Sequence, residues 1–382
     1  MKSADPPRVL VVHNRDYEGA EGDPENSARA DVLGTAHSVA KALESAGCDV
    51  GTVGIGSDLY GAVGEIVDFA PDVVFNLCES IDGASNLEPL LPLLLERAAL
   101  AYTGSSPLTL GLAVHKHKAK DVLRGAGVPT PEAALLTTPD VSKVALAFPL
   151  IVKPAREDAS VGITVDSVVH DRAALERQVM FVLARYRQPA LVERYIEGRE
   201  IYVSLLERPA SRDGVSDGAG EGVQILPLYE IDFSEMPAGS PRIVSFDGKW
   251  VESSPEFRGT KPVPCEGLPE PILARIAAVA KTAFAAMELR DYARLDVRLA
   301  ADGTPYIIDV NPNCDLSEGA GFARAARAAG LGYDEVVRRI VDLALQRRPH
   351  ADTIPFTART RAVPRNRPVL SSRPARRGAR SG

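Results

Sequence analysis

Four polar residues near position 300 have the types and spacing to hold a metal ion beside a phosphate. Arg294 and Asp296 stand two residues apart in one apolar run, Asp309 and Asn311 two apart in the next, and Asp302-Gly303 lies between them. Asp-Gly between apolar runs is a strong signal for a two-residue β-hairpin loop. With that pair as the loop, opposing residues have numbers summing to 605, so Asp296 faces Asp309 and Arg294 faces Asn311. Side chains alternate along a strand, so all four project from one face. Two carboxylates placed opposite each other, with Cβ atoms roughly 4.5 to 5.5 Å apart, repel unless a cation lies between them. Magnesium takes carboxylate and amide oxygens and leaves positions for phosphate and water, which suits Asp296, Asp309 and Asn311, with manganese as an alternative ion. Arg294 adds a permanent positive charge for a phosphate or a developing oxyanion. On a solvated sheet face the same residues would simply pair with one another, so the rest of the chain has to decide.

Two earlier segments have the chemistry of a nucleotide site. Phe148-Pro-Leu-Ile-Val-Lys-Pro154 ends an apolar strand on Lys153, just before the small-residue loop Arg156 to Gly162. A lysine there can reach a phosphate, and the backbone amides of Ser160-Val161-Gly162 can approach its oxygens. The Walker A pattern is missing. Leu191-Val-Glu-Arg-Tyr-Ile-Glu-Gly-Arg-Glu200 joins two apolar strands through a glycine turn. Such a connector can lend backbone groups to an adenine edge and Glu200 to ribose hydroxyls.

The elements that must position these residues follow from periodicity. Arg8 to Val12, Asp49 to Ile55 and Val73 to Phe75 read as strands, and the helical stripe Leu33, Ala36, Val39, Ala40, Leu43 separates the first two. That alternation predicts a parallel α/β sheet. A helix over His115 to Gly125 precedes the stiff Val128-Pro-Thr-Pro131, and beyond it short strands at 150–153, 191–194 and 201–206 predict α+β units. Leu87 to Leu100, interrupted by Pro92, Glu96 and Arg97, reads as a buried helix. Ile272, Ile276, Val279, Ala283 and Met287 form another helical stripe. Arg208 to Gly222 reads as an exposed loop.

Composition sets the outer bounds. At 382 residues the chain exceeds the roughly 250 to 300 at which one core stops growing. The expected divisions are an N-terminal α/β substrate-side domain over 1–112, a central subdomain over 113–190, a C-terminal subdomain with the metal site over 191–350, and a basic, disordered tail over 351–382. With 45% hydrophobic and 25% charged residues the balance is that of a soluble globular protein, which excludes a membrane-embedded body. Cys48, Cys78, Cys265 and Cys314 are scattered without a C-x-x-C pair, which predicts reduced thiols in a cytoplasm. The net charge of −7 conceals eight arginines and one acid from Ala351 onward, so nucleic-acid contact is expected to be no more than a weak property of the tail.

Taken in order, these residues resemble the ATP-grasp superfamily and its D-alanine:D-alanine ligase-like branch. The likeness rests on Val74-Phe-Asn-Leu-Cys-Glu79, Tyr102-Thr-Gly-Ser105, Lys116 to Lys120, Val128-Pro-Thr-Pro131, Ile151-Val-Lys-Pro154 with Ser160-Val-Gly162, Val192 to Glu200, Arg294-Leu-Asp296 and Ile308-Asp-Val-Asn-Pro312. The resemblance implies an ATP-grasp fold, an open parallel α/β domain followed by two α+β subdomains that sandwich ATP. It implies Lys116 and Lys153 near the phosphates, Glu193, Arg194, Tyr195 and Ile196 at the adenine, Glu200 at the ribose, and magnesium on Asp296, Asp309 and Asn311. Arg294, Ser160 and Lys249 would be catalytic. Such ligases phosphorylate a carboxylate and then let an amine attack the acylphosphate. The substrates would be a small-molecule acid and amine, amino acids or short peptides, and a homodimer is among the expectations.

Several positions depart from the branch. Asp309 stands where the family more often has Glu, Ala159 where a serine helps hold an orienting network, and Asp315 where a glycine lends an amide to the oxyanion site. Lys249 falls where the family has a lysine followed by tyrosine on a mobile loop, and Trp250 replaces that tyrosine. The first strand runs into His13-Asn-Arg-Asp-Tyr-Glu-Gly19 without a clear counterpart of the glutamate that meets the first D-alanine's amine. The leading expectation is therefore a carboxylate-amine ligase for an unidentified acid and amine. D-alanine:D-alanine ligation, a non-catalytic ATP-binding protein and an ATP-grasp kinase are the alternatives.

Overall fold

A computed structural model describes residues 6–15, 26–209 and 222–347. The tail over 351–382, most of the 208–222 loop and part of the segment after His13 lie outside the described residues. Among the described residues the strands form three sheets.

The first sheet contains β1 (Arg8–Asn14), β2 (Asp49–Ile55) and β3 (Val73–Leu77) in the order β2-β1-β3, all parallel. Strands buried on both faces need apolar residues at successive positions. Val9 and Val11 pack under the helix Asn26–Ser45, while Leu10 and Val12 pack on the opposite side with Ile66 and Leu91. The apolar run from Leu87 divides into a short 3-10 turn and the helix Leu90–Arg97. The helix Tyr333–Gln346 closes the first of these cores, tying the C-terminal part of the chain to the N-terminal sheet.

The central sheet is antiparallel, with β4 (Ala133–Leu136), β5 (Leu150–Pro154), β6 (Val168–Val169) and β7 (Ala190–Arg194) in the order β4-β7-β5-β6. Leu150, Val152, Ala190 and Val192 bury one face against Leu175, Val179 and Val182 of the helix Arg172–Tyr186. The other face presents Ile151, Lys153 and Glu193 to a cavity. β7 pairs with both β4 and β5, so a division at 190/191 would cut a strand from its own sheet. The chain leaves this sheet only after Arg194.

The third sheet runs β11 (Lys261–Pro264), β10 (Tyr229–Asp232), β8 (Arg199–Glu207), β12 (Tyr292–Leu299), β13 (Pro305–Asn311), with β9 (Val223–Ile225) also on β8. Alternation sorts its two faces. Ile201, Val203 and Leu205 of β8, with Ala293, Leu295 and Val297 of β12, form a core with Ile276, Ala280 and Ala283 of the helix Glu270–Ala286. The intervening Glu200 and Tyr202, and Arg294, Asp296 and Arg298, face the cavity.

The expected hairpin register holds at the functional residues, with Arg294 opposite Asn311 and Asp296 opposite Asp309. The loop does not have the expected length. Leu299 pairs with Pro305, and Ala300 N–H donates to the Thr304 carbonyl at 3.0 Å, so the loop is the three residues 301–303. Gly303, at φ +77°, supplies the left-handed residue that such a loop requires. The numbering sum is then 604 at the loop end and returns to 605 through a β-bulge between Asp296/Val297 and their partners. Ile308 is the extra residue: Ile307 and Val310 lie in the core, while Ile308 and Asp309 both reach the cavity.

Candidate active site

A cavity of about 490 Å³ lies between the central and C-terminal sheets and reaches the end of β3. All thirteen residues singled out from the sequence line it: Arg294, Ser160 and Lys249; Lys116, Lys153, Glu193, Arg194, Tyr195, Ile196 and Glu200; Asp296, Asp309 and Asn311. The connector over 195–198 is where the chain passes from β7 to β8 and hence from one wall to the other. Ile151, Ile196 and Ile308 give this end of the cavity an apolar lining suited to a flat base.

The metal-type residues are charge-compensated by neighbours. Lys116 Nζ donates to both Asp309 oxygens at 2.9 Å and to Asp158 Oδ1 at 2.8 Å. Burial opposes the charge on Lys116, but Asp158 and Asp309 outweigh it and hold the ammonium above its ordinary pKa. In return, although burial acts against its charge, Lys116 and Lys153 hold Asp309 below the usual carboxylate range. Arg294 donates from Nε to Asp296 Oδ1 at 2.7 Å and from Nη2 to Oδ2 at 3.1 Å, with its guanidinium 4.8 Å from the Tyr202 ring centroid. Among the described residues the buried Asn311 Nδ2 has no hydrogen-bond partner. A buried amide left unsatisfied is costly, and its nitrogen and oxygen can exchange places by a flip, so Asn311 is equipped to meet something the cavity takes up. No group of three His, Cys, Asp or Glu that could hold a metal ion gathers among the described residues, while Asp296, Asp309 and Asn311 bring two carboxylates and one amide to a shared stretch of the cavity wall.

Two lysines share one buried acid. Glu193 Oε1 lies 3.0 Å from Lys153 Nζ and 3.2 Å from Lys120 Nζ, all three side chains being almost fully buried. Burial, reinforced by Lys153 and opposed by Glu193, brings Lys120 down to about 8. Beside Glu200, Arg298 lies 3.5 Å from Glu200 Oε2 and donates to the Tyr195 hydroxyl at 3.0 Å. Burial raises the Glu200 carboxyl, with Arg298 working against the shift. Sequence reasoning left out Arg298 and Lys120. The alternation that groups Arg294 with Asp296 extends one step to Arg298, so that residue was legible; Lys120 was one helical turn from Lys116.

The loop after β5 differs from expectation in one detail. Val161 N–H donates to the Asp158 carbonyl and Ile163 N–H to that of Ser160, both at 3.0 Å, so the Val161 amide is spent on the turn. Gly162, at φ +77°, lies where a Cβ would come within 2.4 Å of Pro154 Cγ, so backbone strain and space both require glycine.

An acidic wall of the cavity joins Asp31, Glu79, Glu88 and Asp315, with Lys249 facing them. Glu79 is an exposed residue of the cavity lining, yet desolvation by the surrounding protein, with Asp315 nearby, pushes its carboxyl up to about 8. Burial also raises Glu88, which accepts from Asn313 Nδ2 at 3.3 Å. Burial and Arg294 lower Lys249, while Asp315 and Glu79 act in the opposite direction.

Comparison with known proteins bears on this arrangement. The family model described as "D-ala D-ala ligase C-terminus" matches residues 122–342. An uncharacterised protein of Sinorhizobium fredii, y4sG, is 34% identical over 72% of this chain and 75% of its own length. A D-alanine–D-alanine ligase of Stutzerimonas stutzeri is 30% identical over 84% of this chain and 92% of its own length. In fold, the chain is similar to the crystal structure of the D-alanine–D-alanine ligase from Bacillus anthracis complexed with ATP, with a TM-score of 0.67 at 20% identity, over 90% of this chain and 98% of that one. No helix among the described residues is long and apolar enough to cross a membrane, and the four cysteines are free.

Proposed function

Since the chain belongs to the D-alanine:D-alanine ligase-like family of the ATP-grasp superfamily and is an ATP-dependent carboxylate-amine ligase, we propose that it joins D-alanine to D-alanine through an acylphosphate. Of the expectations drawn from the sequence, the relatives named as D-alanine–D-alanine ligases support this alternative better than a ligase for an unidentified acid and amine.

The observation that carries the mechanistic reading is the pairing of Asp296 with Asp309 on one sheet face, with Lys116 on the second carboxylate and Arg294 on the first. Asp296, Asp309 and Asn311 would hold magnesium, or manganese in its place. Bound there, the ion would neutralise charge on the phosphates during transfer. Lys153 from the central sheet, and Lys116 from a helix whose Ala119 and Leu123 pack into the core of the C-terminal sheet, reach the same region and would position the phosphates. The apolar slot of Ile151, Ile196 and Ile308 takes the adenine, the connector through Glu193, Arg194, Tyr195 and Ile196 meets its edge, and Glu200 takes the ribose. Transfer of the γ-phosphoryl group to a carboxylate gives an acylphosphate, whose acyl carbon an amine attacks with loss of phosphate. Arg294 stabilises the oxyanion of that second step. Lys249 and Ser160 belong to the cover that keeps water away. The free cysteines support a cytoplasmic setting.

A different amino-acid pair is the second reading. It is favoured by Asp315, which lines the cavity where the ligases this chain resembles carry glycine. One experiment separates the two: ADP release over a panel of amino acids and dipeptides, with product mass measured for each hit and hydroxylamine added to trap the acyl group. D-alanine is expected to give the dipeptide and, with hydroxylamine, the hydroxamate. Turnover with another pair and none with D-alanine would establish the second reading, and nucleotide binding without turnover on any pair would end both.

A further inference from the structure

Arg298 is an almost fully buried cation, and its contacts lie where the two walls of the cavity join. It stands on β12 directly opposite Glu200 of β8. Nη1 donates to the Gly198 carbonyl at 3.2 Å and lies 3.5 Å from Glu200 Oε2. Nη2 donates to the Tyr195 hydroxyl at 3.0 Å and to the Arg242 carbonyl. That hydroxyl donates in turn to the same carbonyl at 3.1 Å. The guanidinium carbon lies 5.2 Å from the Tyr195 ring centroid and 5.8 Å from that of Phe233. Backbone approach fixes the connector at the same place: Gly198, at φ +146°, has so little room that a Cβ would fall 1.9 Å from the carbonyl oxygen of Leu299, the next residue along β12. Connector and strand are therefore held in register by a glycine that lets them touch and by an arginine that bonds across the join.

We infer that Arg298 is a positioning residue for nucleotide selection: it fixes the 195–198 connector against β12 and holds Glu200 as a bidentate acceptor for the ribose hydroxyls, an inference that rests on the placement of Glu200 at the ribose proposed above. A carboxylate can accept from both hydroxyls of a ribose, whereas a protonated carboxyl uses one oxygen for its own proton. Burial favours that protonated form of Glu200. Arg298 is the largest of the charges that oppose it, with Arg294 and Lys153 on the same side and Asp296 against them. The guanidinium fork serves the carboxylate, two carbonyls and a hydroxyl at once, a spread that a compact ammonium does not cover. Arg298 thus bears on which sugar is accepted, and it does so through Glu200.

Calorimetric titration of the full-length protein with magnesium and either ATP or deoxy-ATP, which lacks one ribose hydroxyl, reads this role with no amino acid present. The wild type should bind ATP about tenfold to a hundredfold more tightly than deoxy-ATP, the range for one hydrogen bond to a charged group. Equal affinities would overturn the inference. R298M keeps the stem and removes the fork, and it should reduce that preference about fivefold to tenfold. A merely structural role would weaken both nucleotides alike, and that unchanged ratio would overturn the inference. The route is tested by adding R298M to E200Q. Because Arg298 acts through Glu200, the ratio in the double variant should match that of E200Q alone, and a further fall would overturn the inference. The double variant also leaves no carboxylate buried without its partner. Should R298M by itself not stay folded, R298K keeps the charge and loses the fork. It should reduce the preference about threefold, and a wild-type ratio there would overturn the inference. If the wild type binds ATP selectively but makes no amide from any amino-acid pair, the ligase reading fails while these ratios still decide the role of Arg298.

Discussion

The β12–β13 hairpin and the acidic wall both carry ionisable side chains and both line the same cavity, yet they are built in opposite ways. In the hairpin both acids that face the cavity have a fixed cation: Asp296 has Arg294 two residues away on its own strand, and Asp309 has Lys116. On the wall, Asp31, Glu79, Glu88 and Asp315 arrive from three separate parts of the chain around one lysine, Lys249. The hairpin is electrostatically balanced before any ligand enters. The wall crowds four acids around that one lysine, and desolvation and mutual repulsion make Asp31, Glu79 and Glu88 hold their protons longer than ordinary carboxyls. On the reading proposed above, the hairpin would exchange its cations for a metal and phosphates, and the wall would receive the amine.

Substitutions can break this contrast. D309N should have the largest effect, lowering magnesium-dependent ATP turnover by about a hundred- to a thousandfold, because it removes a hard oxygen charge and leaves Lys116 with one acid fewer. Unchanged turnover in a steady-state ADP assay would remove the hairpin from the chemistry. R294K should follow, at about tenfold to a hundredfold in amide formation. Its guanidinium makes two bonds to Asp296 that an ammonium cannot reproduce. Full activity in that variant would leave Arg294 with a structural role only. E79Q should have the smallest effect and should appear in stability. A carboxyl at about 8 in the folded protein, against 4.5 ordinarily, means that the folded state keeps its proton longer. Its contribution is then complete below about 4.5 and is lost as pH rises through about 8. Melting temperatures of the unliganded protein should decline across that window in the wild type and less steeply in E79Q. Equal slopes would remove Glu79 from the acidic wall.

The hairpin was legible because its geometry is local. Strand alternation and the Asp-Gly signal were enough to place four side chains on one face, and Arg298 followed the same rule one step further on. Even so, the correct pairing came from two offsetting departures. The loop is one residue longer than Asp302-Gly303 alone, and Ile308 bulges out by one residue to restore the register. Periodicity does not reveal a bulge, because an extra residue at a strand's cavity face leaves the apolar pattern on either side intact. The wall was not legible in that way. Glu79 and Asp315 lie more than two hundred residues apart in sequence, and no local rule brings the end of β3 to the segment beyond β13.

By itself the sequence determined the parallel strand-and-helix alternation of the first hundred residues, the shared face of Arg294, Asp296, Asp309 and Asn311, and the family, since all of these follow from side-chain alternation and from motifs read in order. Only the tertiary structure decided which cation sits on which acid, that β7 belongs to the central sheet, and that Arg298 meets Gly198 and Arg242. The physical reason is the same in each case. Alternation fixes the direction of a side chain relative to its own backbone, but its partner is fixed by the packing of separate elements against shared cores, and that packing joins residues at any separation along the chain.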